Sequence, residues 1–128
     1  MNEPAALRVL LVEDSALLCE RIAEIVDGIP GVELAATVGS ETAAIEALRR
    51  DDIDVVILDL QLRNGTGFGV MRGLRSMLRR PEIVVFTNFA LATYRDNAIA
   101  LGARHFLDKS RDYERLPGVL RELSDERH

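Results

Sequence analysis

The chain has 128 residues, 48% of them hydrophobic, a formal net charge of −5 and one cysteine, Cys19. Those values suit one globular domain with a core of its own and exclude a disordered or disulfide-framed chain. They weigh against direct nucleic-acid binding, because no large cationic excess is there to neutralise phosphates. No apolar stretch approaches the roughly 20 residues needed to cross a bilayer. Residues 1–6 have neither the basic start nor the apolar run of a signal peptide. The expected setting is therefore a reducing cytoplasm, with no membrane partner.

Short β-rich apolar runs alternate with longer amphipathic segments along the chain. A first strand is expected over Leu7–Val12, followed by a helix from about 15 to 27 with Leu18, Ile22, Ile25 and Val26 on one face. Ser15 is placed to cap its start and Gly28 to end it. A second strand over Val32–Val38 leads, after a Ser40 cap, into a helix over Glu41–Arg50 with Ala44, Ile45 and Leu48 inward. The third strand, 54–58, is almost continuously apolar, as a strand covered on both faces requires. A helix is expected from about 67 to 79, carrying Val70, Met71, Leu74, Met77 and Leu78 inward and closed by Pro81. Strand four covers Glu82–Thr87, helix four covers 91–101 and ends at Gly102, and strand five covers 104–107. The last helix, about 113–123, repeats Leu116, Val119, Leu120 and Leu123 at i, i+3, i+4 and i+7.

Five β–α pairs in succession predict an α/β fold of three layers, a parallel sheet with helices on both faces joined by right-handed crossovers. In the flavodoxin-like strand order 2-1-3-4-5, strands one and three are neighbours and their C-terminal ends form the topological switch point. Glu13 and Asp14 follow strand one, Asp59 follows strand three, Thr87 ends strand four and Lys109 follows strand five. All five fall on one edge. Adjacent strands lie about 4.8 Å apart, so Asp14 and Asp59 come within reach of one shared ion. Each residue alone has an ordinary explanation as a loop acid, a helix cap or a solvated lysine. Together, three carboxylates in one crevice repel unless a cation compensates, and a hard cation such as Mg²⁺ suits such oxygens. The ammonium of Lys109 can pair with a carboxylate or with phosphate oxygens.

Leu11-Val12-Glu13-Asp14-Ser15, Val56-Ile57-Leu58-Asp59-Leu60, Asn64-Gly65-Thr66-Gly67, Val84-Val85-Phe86-Thr87, Gly102-Ala103 and Phe106-Leu107-Asp108-Lys109 stand in order across residues 7 to about 123. As a set they resemble the receiver (response regulator) domain of two-component signalling, the CheY-like superfamily. The resemblance implies a single receiver domain over 1–128, with a core of about 7–123 and short polar tails. It implies that Asp59 accepts a phosphoryl group from a histidine kinase or phosphotransfer protein, with Mg²⁺ as cofactor. Asp14 matches the direct metal ligand and Glu13 a ligand acting largely through water. Asp59 itself and the backbone carbonyl of Gln61 complete the set. Lys109 matches the lysine that pairs with the acceptor, Thr87 the switch hydroxyl and Phe106 the aromatic rotamer switch. The implied output is a remodelled surface of helix four, strand five and helix five that meets a downstream protein, and phosphorylation-driven homodimerisation is left open. The domain is expected to be a signalling module rather than an enzyme, with slow autodephosphorylation at most.

Several positions depart from the family pattern. Ser110 stands where a proline usually follows the lysine, and Arg63 where a proline often stands four residues after the acceptor. Asn88 is larger than the very small residue usual after the switch hydroxyl. Gln61 and Phe89 hold positions that in the family tune attack by water. The cations Arg72, Arg75, Arg79 and Arg80 read as a solvated face complementing a helix C-terminus. Cys19 reads as a small packing residue. Helix four has only a weak apolar stripe, and Tyr94 lacks an evident core role. Other readings weigh less. An Asp-nucleophile phosphohydrolase wants a second Asp where Gln61 stands. A flavin-binding module wants a hydroxyl- and glycine-rich phosphate loop where Glu13-Asp14 stand. A receiver-like module that never takes phosphate sits poorly with the intact acids, hydroxyl and lysine. The domain could equally be the N-terminal part of a larger, DNA-binding response regulator.

Overall fold

The computed structural model describes residues 5–127. Most of the N-terminal segment read above for a signal peptide, residues 1–4, and the terminal His128 lie outside it. Strands β1 (Leu7–Val12), β2 (Val32–Val38), β3 (Val55–Leu58), β4 (Glu82–Thr87) and β5 (Ala103–Asp108) alternate with helices α1 (Ala16–Asp27), α2 (Glu41–Arg50), α3 (Gly67–Leu74), α4 (Ala92–Ala100) and α5 (Leu116–Arg127). All pairings are parallel, and the order is β2-β1-β3-β4-β5.

The period-2 alternation of the strands divides the core into two layers. On one side Leu10, Val12, Val56, Leu58 and Val85 meet Ala44 and Leu48 of α2, Val70, Met71 and Leu74 of α3 and Ala98 of α4. On the other, Val9, Leu11, Ile57, Val84, Phe86 and Leu107 meet Ile22 and Val26 of α1 and Leu116, Val119, Leu120 and Leu123 of α5. Every residue of β3 is buried, which explains its unbroken apolar run. Two helices start on the caps their sequences indicate, Ser15 and Ser40, and a third starts on a cap not named from the sequence, Thr66. Ser15, Ser40 and Thr66 turn their hydroxyls back to accept from the amides of Leu18, Ala43 and Gly69.

Several boundaries differ from the sequence reading. The fourth helix, Ala92–Ala100, is one residue shorter at each end. The third helix stops at Leu74 rather than near 79. Leu78 is fully exposed, so nothing on the sheet holds the helix beyond Met77. The last helix is preceded by a 3-10 turn, Tyr113–Arg115, and runs on to Arg127. Pro117 sits in its first turn, where the missing amide hydrogen costs nothing. Strand five gains Ala103, which pairs with Ile83 before a register shift, and Asp108, which pairs with Thr87. Strand three begins at Val55, one residue late: the Asp54 amide still donates to the Arg8 carbonyl (2.8 Å) and its carbonyl accepts from the Glu82 amide (2.9 Å), but the Arg8 amide is taken by the Asp54 carboxylate (2.8 Å) rather than by the backbone.

Helix α4 also differs in kind. Only Ala98 is buried, so it has no apolar stripe to speak of, and Leu91 offers no side-chain cap. Gly102 ends it with a φ of 108°, a left-handed conformation open to glycine.

Candidate functional site

The parallel ladder fixes which residues meet. Leu58 pairs with Val12 on one side and Val85 on the other, so the residues just past these strands share one edge. Backbone bonds extend the alignment past the strands. The amide of Asp59 donates to the carbonyl of Val12 (3.1 Å), that of Glu13 to Val38 (2.9 Å) and that of Lys109 to Thr87 (2.9 Å). Four strand ends thus deliver Glu13, Asp14, Asp59, Thr87 and Lys109 to one open cleft of ≈ 470 Å³, rimmed by Arg63, Asn88 and Phe89.

Asp59 lies at the centre and is 6% exposed. One carboxylate oxygen accepts from the Thr87 hydroxyl at 2.9 Å and the Gln61 amide at 3.3 Å. The other accepts from the Lys109 ammonium at 2.8 Å. Lys109 also reaches Glu13 at 2.6 Å, and the second oxygen of Glu13 accepts from the amide of Ser15 at 3.0 Å. Burial opposes the charge on Lys109, but its bonds to Asp59 and Glu13 outweigh that cost and hold its pKa above the ordinary lysine value. The Thr87 oxygen in turn accepts from the amide of Phe89 at 3.2 Å, tying the loop after β4 to the acid cluster.

Asp14 is set apart. It is the more solvent-open of the three acids, and its carboxylate makes no hydrogen bond or ion pair among the described residues. Carboxylate oxygens of Glu13, Asp14 and Asp59 nevertheless lie within 4.8 Å of one another. One lysine balances only one of three negative charges, so the cluster retains a surplus that a divalent cation would neutralise. An all-oxygen donor set suits Mg²⁺ or Ca²⁺ rather than a softer metal. The residues present therefore fit the implied ion, with Asp14 the carboxylate free to bind it directly.

A profile of the response regulator receiver domain matches residues 9–121. The chain belongs to the receiver domain family of two-component signalling. Among its relatives, a protein-glutamate methylesterase/protein-glutamine glutaminase of Anaeromyxobacter dehalogenans is 32% identical over 119 residues, covering 82% of this chain and 32% of that protein. The nitrate/nitrite response regulator protein NarP of Escherichia coli is 29% identical over 121 residues, covering 94% of this chain and 56% of that protein. The chain thus spans a third to just over half the length of these two relatives. The receiver domain of AraT, a response regulator from Geobacillus stearothermophilus, superposes with a TM-score of 0.79 at 28% identity, covering 94% of this chain and 95% of that one. Receiver domains bind Mg²⁺ at an acidic pocket and interact with histidine kinases or phosphotransfer proteins. Among the described residues no helix is long and apolar enough to cross a membrane.

Other site residues fall as follows. Phe106 is half-buried against the layer that holds α2, α3 and α4. The Cys19 thiol lies 3.5 Å from the Glu13 carbonyl and packs against the layer that holds α1 and α5, and burial, then the charges of Glu13 and Asp14, push its pKa up. Where the family has proline after the lysine, the loop is stapled by side chains. The Asp108 carboxylate accepts from the Ser110 amide (2.9 Å), the Ser110 hydroxyl (2.8 Å) and the Arg111 amide (3.3 Å), and the Asp112 carboxylate accepts from the Asp108 amide (2.9 Å). The Ser110 hydroxyl is the main reason the Asp108 carboxyl sits below its usual pKa.

Two features escape a reading of the sequence alone. Tyr94 has partners after all, with ring centroids 6.1 Å from Phe68 and 6.3 Å from Phe89. Glu41, at the start of α2, accepts from the Thr66 amide at 3.0 Å, and Gly69 leaves it room: a Cβ there would meet that carboxylate at 2.1 Å. The spacing of Gly65, Gly67 and Gly69 was the available signal of a close approach.

Proposed function

We propose that this receiver domain is phosphorylated on Asp59 by a histidine kinase or phosphotransfer protein, with Mg²⁺ held by Asp14, Asp59, the Gln61 carbonyl and, through water, Glu13. The observation that carries this reading is the surroundings of the Asp59 carboxylate. A hydroxyl and an ammonium hold both its oxygens, and Asp14, without a partner among the described residues, stands in the same acid cluster. Phosphoryl transfer through a loose transition state calls for positioning and charge neutralisation more than for covalent assistance. Thr87 and Lys109 fix the direction of the nucleophile, and Lys109 brings a full positive charge to the place where equatorial oxygens gather. A bound Mg²⁺ supplies further neutralisation of those oxygens.

Thr87 already bonds the carboxylate, so phosphorylation would exchange its acceptor for a phosphoryl oxygen. The bond from Phe89 carries that adjustment into the loop that enters α4. Phe106, half-buried on the same side of the sheet, then repacks by its ring alone, since it has no hydroxyl. In this reading the changed surface is α4, β5 and α5, and its binding of a downstream protein is the output. Phosphorylation acts by favouring one of two arrangements of an element. The domain spans residues 1–128 as one signalling unit.

Incubation of the chain with acetyl phosphate and Mg²⁺, followed by intact mass, tests this. Wild type is expected to gain one phosphoryl group and Asp59→Asn none. Equal labelling of both would end the proposal.

A further inference from the structure

Arg63 is the one cation at the cleft that no carboxylate has claimed among the described residues. It stands on the loop between β3 and α3, four residues past Asp59, and lines the same cleft as Glu13, Asp14, Asp59, Asn88 and Lys109. Lys109 is engaged by Glu13 and Asp59. Arg8, Arg79, Arg104 and Arg127 each hold an ion pair with an acid, whereas the Arg63 guanidinium has neither an ion pair nor a hydrogen bond among the described residues. Its backbone is fixed all the same. The preceding Leu62 is buried (6% exposed), and the following Asn64 pairs with Ser40 and accepts from the Glu41 amide at 3.0 Å. The loop closes on itself through a Gln61–Thr66 bridge and the Gly67 amide to the Leu60 carbonyl at 2.9 Å. A rigid loop therefore holds a free, solvated guanidinium at the mouth of an acidic cleft.

That arrangement answers an electrostatic difficulty. A phosphoryl donor is anionic, and a divalent cation together with the committed ammonium would only balance the three carboxylates, leaving no positive charge over for the donor. A planar guanidinium is suited to gripping phosphate oxygens in pairs. We propose, on the basis that Asp59 is the acceptor, that Arg63 is a steering and positioning residue for the incoming phosphoryl donor. Its effect grows with the negative charge the donor carries.

The chemical step is the same for any donor. An Asp59 carboxylate oxygen gives an electron pair to phosphorus, and the bond from phosphorus to the leaving group breaks with its electron pair. From acetyl phosphate, which arrives as a dianion, the leaving group is acetate and no proton moves. From phosphoramidate, a monoanion whose nitrogen is already protonated, the leaving group is neutral ammonia. The two donors thus deliver the same group with different charge. Arg63 sits at the rim, so its attraction is screened by salt over a Debye length of about 8 Å at physiological ionic strength.

The test measures phosphorylation rates of the full chain with Mg²⁺ by quenching and intact mass, with both donors, at low and high salt. In low salt, Arg63→Ala should slow the acetyl phosphate reaction about 3- to 10-fold, the range of a single exposed charge. Arg63→Glu should slow it further, and Arg63→Lys should recover most of the rate. The loss with phosphoramidate should be smaller, and high salt should bring wild type down toward Arg63→Ala. Rates for Arg63→Ala within about twofold of wild type with both donors would overturn the proposal. So would an equal loss with both, which would point to a role in shape rather than charge. If wild type takes phosphate from neither donor, the reading of Asp59 fails and Arg63 falls with it. A phosphorylated wild type with an indifferent Arg63→Ala overturns only the role of Arg63.

Discussion

At the scale of single residues, the acid cluster is a balance of three like charges against one ammonium. Lys109 is 11% exposed through its side chain and bridges two buried carboxylates. Lys109→Met is expected to cost about 3 kcal/mol in chelator, as removal of one partner from a buried pair does, and added Mg²⁺ should restore part of that. The Lys109 pKa is raised by folding, so its contribution is complete below the ordinary value of 10.5 and fades as pH climbs above it. Urea unfolding should therefore show a constant gap between wild type and Lys109→Met at neutral pH that narrows above pH 10.5. Asp14 gives the opposite sign. It adds repulsion and makes no bond among the described residues, so Asp14→Asn is expected to stabilise the metal-free chain by on the order of 1 kcal/mol. The same change should abolish stabilisation by Mg²⁺. A melting temperature of Asp14→Asn that still rises with Mg²⁺ as wild type does would remove Asp14 from the metal site.

At the scale of elements, the sequence announced most of the fold and missed what depends on neighbours. The caps Ser15 and Ser40, the unbroken apolar run of β3 and the repeat in α5 are local signals, and each element formed where those signals stood. Met77 and Leu78 also continue the apolar spacing of α3, yet Leu78 finds no facing surface among the described residues, and spacing alone cannot reveal that. The start of α3 is set by contact instead. A Cβ at Gly67 would lie 2.4 Å from the Asp59 carbonyl oxygen, so glycine lets the helix begin directly against the acceptor's own backbone. Helix α4 is the weakly anchored element, with one buried residue and an extended Leu91 that makes no side-chain cap. Leu91→Ser is expected to add about 1 kcal/mol through a new N-cap. Hydrogen exchange should report this as slower exchange of the first amides of α4, with the strands unchanged; unaltered α4 amides would show that the helix start is not limited by capping.

At the scale of the whole molecule, the edge opposite the cleft has its own anchor, and the sequence hid it. Asp54 accepts from the Arg8 amide at 2.8 Å, pairs with Arg79 at 3.3 Å and binds Arg127 at the end of α5, with a side chain only 7% exposed. One carboxylate thereby ties β1, the segment after α3 and the last helix together. Arg79 reads as a solvated charge in sequence because its partner lies 25 residues away. Asp54→Ala is expected to cost about 1–2 kcal/mol in urea unfolding, chiefly by leaving the Arg8 amide without its acceptor, since the Arg79 guanidinium is open to water. It should leave phosphorylation intact, since the clamp sits at the far end of β3; a comparable loss of both would mean that the two edges are coupled. The site residues were legible because strand ends in a parallel sheet converge by topology, which is why Asp14, Asp59, Thr87 and Lys109 could be placed together before any coordinates. Their engagement was not legible, since which oxygen meets Lys109 and which meets Thr87 depends on side-chain packing. The most direct test of the central claim is to trap the acyl phosphate chemically. Borohydride converts an aspartyl phosphate to homoserine, and peptide mapping of the treated, phosphorylated chain should find that change at position 59 and nowhere else. Homoserine at another acid, or none in a chain that has gained a phosphoryl group, would contradict the assignment of Asp59.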